Sequence, residues 1–384
     1  MKRRLTPVIL VPLLIFIIML ALVLILLFVL LIYLFNGQGV PVLLYHQVND
    51  LSNVNQPLLE KHFELIKKQK LNTLTAAEVK QYSDEKKKLP KNSILITFDD
   101  GYYDNYAYVF PLLKKYHFKA TFFINSAFIK EKADRSATVI KDSDTANREI
   151  IGRYYKGEDT RSDQYMSWEE AREMQQSGLC DFQLHSHTHK LAFSTIELRG
   201  FVENENFGGE ALHIYNGKPK VGYPMLRSRG ETTIRRLVPN EFFLEAVRKQ
   251  YEEKQGLPAS KRKKQIAAFI KNYANAAIIE SSEDARVRII NEIHKNQEEL
   301  YRHLGKQAVA YAWPYGHKSA FGRGIIKREN VSLFFTCKKG TNGRVMNLEK
   351  IKRIELRKPT VKKLKLMLVI NTNLILGKFY GWVS

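Results

Sequence analysis

The sequence predicts an α/β barrel of about seven strands, preceded by one membrane-spanning helix and interrupted by a long, mostly helical insertion. Three observations lead there. Short apolar runs alternate with segments of helical spacing, the pattern of a parallel sheet or barrel. The residues with chemical potential sit where those runs stop, and in barrels the C-terminal strand ends carry the chemistry. An uncharged apolar run also fills the chain from Val8 to Phe35, longer than the ~20 residues a spanning helix needs.

The N-terminal run follows "MKRR" and leads into "LFNGQG". A cleavable signal has a shorter apolar core and a small-residue cleavage site. Neither is found, so residues 1–36 read as an uncleaved signal anchor. Lys2, Arg3 and Arg4 then stay in the cytoplasm by the positive-inside rule. Residues 37–384 form one extracellular domain on a single-pass anchor in the cell membrane.

"VPVLLYHQV" (Val40–Val48) reads as a buried strand, and "HFELIKKQKL" follows with helical spacing. "SILITF" (Ser93–Phe98) is the second strand. "YVFPLLKKYH" is a helix, with Pro111 tolerable near its start or at a kink. "KATFFIN" (Lys119–Asn125) is the third strand. In "SWEEAREMQQSG", Ser167 and Glu170 form a capping box, and Gly178 suits the helix end. "CDFQLHSH" is the fourth strand. "AVAYAWPYG" (Ala308–Gly316), "VSLFFTCKKG" (Val331–Gly340) and "IKRIELRK" (Ile351–Lys358) complete the set.

Residues from about 190 to 307 interrupt this alternation. The insertion starts loop-like, then turns helical and charged. Insertions of this length shape a substrate site or form a lid, or else buttress the barrel. Its "YPMLRSRGE" loop, with Arg227, reads as a substrate contact because it follows a histidine cluster. The C-terminal "TVKKLKLMLVINTNLILGKFYGWV" is expected to close the core rather than lie along the membrane interface.

The net charge is +22, from 61 Lys+Arg against 39 Asp+Glu. That excess suits anionic lipid or an acidic wall polymer such as teichoic acid. Zinc-finger and RNP patterns are missing, so nucleic acid is not an expected partner. Two cysteines, Cys180 and Cys337, exclude a disulfide-rich scaffold and a cysteine zinc cluster. They read as buried free thiols.

Two stretches carry the chemistry. "LITFDDGYYDNY" ends an apolar strand in two adjacent carboxylates, Asp99 and Asp100. "LHSHTH" places His185, His187 and His189 after another strand. Two histidines plus one carboxylate, with an open position, is a catalytic zinc pattern. One aspartate can bind the metal while its neighbour stays free as a base. A nearby divalent cation also removes the repulsion between them. A polar turn and an Asp-Gly turn would account for each stretch alone. Both following apolar strands, they favour the metal site.

"TFDDG", "HSHTH" and "AWPYG" resemble the motifs of the polysaccharide deacetylases, carbohydrate esterase family 4. The resemblance covers most of Val40–Lys358 outside the insertion. It implies a distorted (β/α)7 barrel that removes acetyl groups from N-acetylated sugars with a divalent metal. Zn2+ is the expected ion, with Co2+ or Ni2+ as alternatives. It also implies Asp99 as catalytic base and Asp100, His185 and His189 as metal ligands. Asp181 is the acidic residue that family members carry four positions before the first histidine. The Tyr315 backbone N–H would hold the oxyanion, and Trp313, Pro314 and Tyr102, with Arg227, would contact substrate. Many members carry an arginine before the third motif that steadies the base. "QAVAYAWPYG" has none, and Arg353 on the last strand is the candidate substitute. The late L-x-H histidine of the family is also missing. "LLYHQV" supplies His46 instead, resembling the circularly permuted branch that includes the poly-β-1,6-N-acetylglucosamine deacetylases. His46 would protonate the leaving amine, or else is a core histidine at a strand end. The implied substrate is N-acetylglucosamine in a cell-surface or exported polysaccharide. The alternatives are an inactive anchored carbohydrate-binding protein and an amidase acting on a non-sugar amide.

Overall fold

Parallel strands close on themselves in the computed structural model, which describes residues 7–356 and 359–384. The basic tip Lys2-Arg3-Arg4 lies outside these residues, as do Arg357 and Lys358 at the end of the expected seventh strand. The barrel strands are β1 (Val42–Tyr45), β2 (Ser93–Asp100), β3 (Ala120–Ile124), β4 (Cys180–Leu184), β5 (Ala310–Ala312) and β6 (Leu333–Thr336). The last, β7, comes in two pieces, Ile351–Lys352 and Ile354–Glu355. The first piece pairs with β6 and the second with β1. Residues 351–355 thus close the ring, and Arg353 is the residue between the two ladders. Seven segments make eight ladder positions, and the distortion of the barrel lies at residue 353.

Strand alternation sorts the side chains. On β2, Leu95 joins Val42, Phe123, Ala310, Ala312, Leu333, Phe335 and Ile351 in the lumen. Ile94, Ile96 and Phe98 face the helix layer. Burial on both faces explains why these strands read as continuous apolar runs. The small Ala310 and Ala312 leave room for Phe123 against Phe335, with ring centroids 4.8 Å apart.

Helices fill the outer layer. Ser167 and Glu170 form the expected capping box at the start of Trp168–Gln176. Pro111 lies just past the π-helical segment Asn105–Val109, whose wider turn breaks the regular bonding at the point where the proline lacks an N–H. Cys180 is buried and Cys337 half-buried, both as free thiols.

The insertion departs from the reading above. It opens on an antiparallel hairpin, Leu191–Phe201 against Pro224–Gly230, rather than on a loop. Phe193, Leu198 and Phe201, separated by two breaks in the strand register, turn inward with Leu226 onto helices Glu241–Glu253 and Ala259–Lys271. A second core results, with Phe243, Val247 and Ile266. The helix Ser282–Leu304 belongs instead to the barrel layer. Its Ile289, Ile293, Leu300 and Leu304 enter the main core.

The C-terminal segment divides at Asn373. Helix Val361–Thr372 packs Leu364, Met367 and Leu368 into the main core, as expected. Helix Leu374–Val383 does not close the core: it leaves Phe379, Trp382 and Val383 exposed. The Asn373 side chain accounts for the break. It caps the second helix and donates to the Ile32 carbonyl at 2.7 Å, which turns the chain toward the N-terminal helix. That helix, Pro7–Leu34, is uncharged and exposed along Val11–Leu34.

Asn296, fully buried on Ser282–Leu304, donates to the Ile124 carbonyl at the end of β3 (3.1 Å). Asn296→Leu is expected to lower unfolding free energy by only about 0.5–1.5 kcal/mol, the net worth of one hydrogen bond, because that carbonyl keeps the His185 N–H at 3.2 Å. Denaturant unfolding measures it.

Candidate active site

Adjacent strand residues point to opposite faces. Asp99 follows Leu95 and Thr97 into the lumen, so Asp100 would point outward. The backbone prevents that. Asp100 has φ +77° and Gly101 has φ +84°, so the chain turns over the rim. A Cβ at Gly101 would stand 2.9 Å from the Ile124 side chain, so only glycine fits this turn. Both carboxylates end at the top of the lumen.

Asp99 meets Arg353 there. Arg353 Nη1 and Nη2 lie 2.7 and 2.8 Å from Asp99 Oδ1 and Oδ2, a two-pronged pair. Arg353 is fully buried and Asp99 nearly so. Arg353 Nε donates to the Thr336 carbonyl, and Cys337 Sγ lies 3.8 Å from Nη2. Burial pushes the Asp99 carboxyl up, but Arg353, with His185 and His46, outweighs it and keeps the group below the usual carboxylate range. The candidate substitute for the missing arginine therefore occupies that role in space.

The histidines come from the turn after β4. Asn125 Nδ2 donates to the carbonyls of His185 (2.7 Å) and Ser186 (3.1 Å). Ser186 and His189 have positive φ, and Ser186 Oγ accepts from the His189 N–H. Glu292 accepts from both the N–H and hydroxyl of Thr188 at 3.0 Å. His185 Nδ1 donates to the Ala312 carbonyl at 2.9 Å, which leaves Nε2 to face Asp100 Oδ1 at 3.4 Å. His189 Nε2 lies 3.6 Å from the same oxygen. Ligand atoms of Asp100, His185 and His189 all fall within 4.8 Å of one another.

Their electrostatics suit a cation. Burial raises Asp100, but His185, His189 and His46 bring it well below the ordinary range. Burial lowers His189 to about 4, so it is neutral at physiological pH. Burial also lowers His185, but Asp99 and Asp100 outweigh that and raise it. An ionised carboxylate and two imidazoles, one with its tautomer set by a backbone carbonyl, are the donors a divalent metal needs. The residues fit the expected metal. His187 points away from them, to Ser126 Oγ at 2.9 Å.

Tyr315 sits in a tight turn after β5 with φ +57°. Hydrogen bonds in that turn run from Gly316 to Trp313 and from His317 to Pro314, leaving the Tyr315 N–H outside them. Its hydroxyl donates to the His189 carbonyl at 2.8 Å, and the rings are 4.3 Å apart. His46 follows β1, and its charge acts on Asp99, Asp100 and His189. The satisfied core histidine nearby is His62, between Tyr45 and the Pro359 carbonyl.

The expected substrate contacts need correction. Trp313 is buried: Ala310 and Ala312 face the lumen, so Tyr311 and Trp313 face the helix layer, where Trp313 stacks on Phe334. Tyr102 is buried after the Gly101 turn, stacked on Tyr165. Pro314 is buried where Gly230 of the hairpin packs closely on its carbonyl. Arg227 points to solvent and pairs with Glu197 across the hairpin. Arg229, two residues on, reaches the rim and donates to the Lys318 carbonyl. Asp181 lies toward the other end of β4, bound to Lys306 and the Ala77 N–H.

Three supporting residues escaped the sequence reading: Asn125, Glu292 and Asp104. Asp104 accepts from the Val48 N–H and from Asn49, which fixes the loop after His46. Burial pushes its carboxyl up to about 6. Its place in "DDGYYDNY", one turn beyond the motif, was the available signal.

Residues 86–205 match the family model described as polysaccharide deacetylase. That segment contains Asp99, Asp100, His185 and His189. It is 37% identical over 95 residues to a putative polysaccharide deacetylase of Bacillus subtilis (strain 168), covering 24% of this chain and 34% of that protein. It is 25% identical over 156 residues to the poly-β-1,6-N-acetyl-D-glucosamine N-deacetylase of Escherichia coli (strain K12), covering 39% of this chain and 20% of that protein. The matches thus span about a third and a fifth of those relatives. Among solved structures, the de-N-acetylase from Aggregatibacter actinomycetemcomitans is 18% identical, with a TM-score of 0.52 over 85% of this chain and 99% of that one. IcaB from Ammonifex degensii is 18% identical, with a TM-score of 0.51 over 86% and 97%. These chains share the fold along nearly their whole length.

Arg353→Met is expected to destabilise the chain by about 3–5 kcal/mol, because it strands the buried Asp99 charge. Adding Asp99→Leu should recover most of that loss. Denaturant unfolding of both variants measures it. An equal loss in single and double variants would show that the pair is not coupled.

Proposed function

We propose that this chain is a membrane-anchored N-deacetylase acting on N-acetylglucosamine residues of a cell-surface or exported polysaccharide. The observation that carries this reading is one carboxylate fixed by a buried arginine fork beside a separate cluster of Asp100, His185 and His189. Adjacent residues thereby take different jobs. The similarity of this chain to two proteins named as deacetylases, over part of their length, supports it.

Asp100, His185 and His189 would hold the divalent cation, zinc by the chemistry of the donors. When bound, such a cation supplies Lewis-acid polarisation of a carbonyl and a water of lowered pKa. Asp99, ionised and oriented by Arg353, accepts the proton from the attacking water. The Tyr315 N–H, outside the hydrogen bonds of its turn, would stabilise charge on the acetyl oxygen. His46 donates a proton to the sugar nitrogen as the amide C–N bond breaks, giving acetate and a free amine. The half-exposed Tyr315 ring beside His189 offers a face on which a sugar ring can stack. The apolar helix Pro7–Leu34 anchors the domain at the membrane, with the barrel on the outer side.

Asp99→Asn tests the division of labour. Acetate release from N-acetylglucosamine oligomers is expected to fall by about 10²–10⁴-fold, while zinc content stays that of the unsubstituted chain. Release that survives the substitution, or a zinc-loaded parent chain inert on every N-acetylated glycan, sinks the reading.

A further inference from the structure

A cavity of about 590 Å³ opens along the seam where β6, the short strand Asn342–Gly343 and β7 meet. Lys88, Lys338, Arg344, Lys350, Lys352 and Lys378 line it, and Lys318 stands at the end nearest the rim. No carboxylate lines it among the described residues. Glu349, next to Lys350 in sequence, is already held by Lys327 and Arg323. Burial, with repulsion from Lys338 and Lys378, lowers the Lys352 ammonium. Cations gathered this way, without counter-charge, mark a place for an anion.

The position of the cavity says which anion. Gln38 and Leu374 also line it. Gln38 is four residues beyond Leu34, the end of the apolar helix, and four extended residues reach at most ~14 Å. Leu374 follows Asn373, whose amide caps the Ile32 carbonyl of that helix. Asn36 and Asn373 also form a β-bridge. The cavity therefore adjoins the zone where a spanning helix leaves the hydrocarbon. Helix Leu374–Val383 flanks it and exposes Phe379, Trp382 (82%) and Val383. Tryptophan at this depth is characteristic of the membrane interface.

We propose that this cavity binds phosphate headgroups of anionic phospholipids in the bilayer that Pro7–Leu34 crosses, with the C-terminal helix lying at the interface. The barrel is then held to the membrane at two points and cannot swing freely on its anchor. This rests on the anchor reading and is independent of the deacetylase chemistry. Each lysine near an anionic surface contributes attraction that salt screens.

The test uses the full chain in nanodiscs of phosphatidylcholine alone or mixed with phosphatidylglycerol. Lysine acylation read by mass spectrometry reports Lys338, Lys350, Lys352 and Lys378, with Lys261 of the insertion as reference. Labelling of the four is expected to fall about five-fold in the mixed discs, and to recover at high salt. Brominated lipid reports Trp382, because Trp168 and Trp313 are buried. Quenching should rise with phosphatidylglycerol, and the variant carrying Lys338→Gln, Lys350→Gln, Lys352→Gln and Lys378→Gln should lose that rise. Equal labelling in both discs overturns the proposal. So does protection by soluble polyglycerol phosphate without protection in mixed discs, which assigns the cavity to a wall polymer.

Discussion

Two opposite charges buried in the barrel lumen, Asp99 and Arg353, constrain both the fold and the site. Taking a carboxylate and a guanidinium out of water costs several kcal/mol each, and only good geometry offsets it. The fork supplies that geometry. Both oxygens of Asp99 meet separate nitrogens of Arg353, and the Thr336 carbonyl takes Nε. To place the guanidinium there, β7 must give up continuous pairing at residue 353. Its halves pair with β6 on one side and β1 on the other. The residue that interrupts the last strand is therefore the one at which the barrel closes.

The same pair explains why two carboxylates can stand side by side. A strand would separate Asp99 and Asp100 to opposite faces. The positive-φ turn at Asp100 and Gly101 returns the second to the rim. Arg353 compensates Asp99 from below, and His185 and His189 meet Asp100 from above. Each carboxylate thus has its own partner. The surrounding hydrogen bonds, from Asn125 to the turn and from Thr188 to Glu292, fix the imidazoles before any ligand arrives.

Much of this was legible in the chain. Strands buried on both faces announce themselves as apolar runs, and the motif residues stand where those runs stop. Arg353 was named only as a substitute, because 254 residues separate it from Asp99 and nothing local marks the contact. Trp313 and Tyr102 were misassigned for the opposite reason. Nearness to motif residues suggested contact with substrate, whereas alternation along β5 and the turn at Gly101 send both into the core. The hairpin Leu191–Phe201 was missed because polar and glycine residues dilute its alternation, and its partner strand lies beyond a 22-residue excursion. The C-terminal segment was half legible. Its apolar content signals burial, but not whether protein or lipid covers the last helix.

The central claim is that Arg353 keeps Asp99 ionised and aimed as a base. The acid limb of kcat/KM for acetate release, compared between the parent chain and Arg353→Gln, tests it most directly. Arg353 lowers the Asp99 pKa, so its loss should raise that pKa and move the acid limb to higher pH, with a lower plateau. An acid limb and plateau that both stay in place would contradict the account.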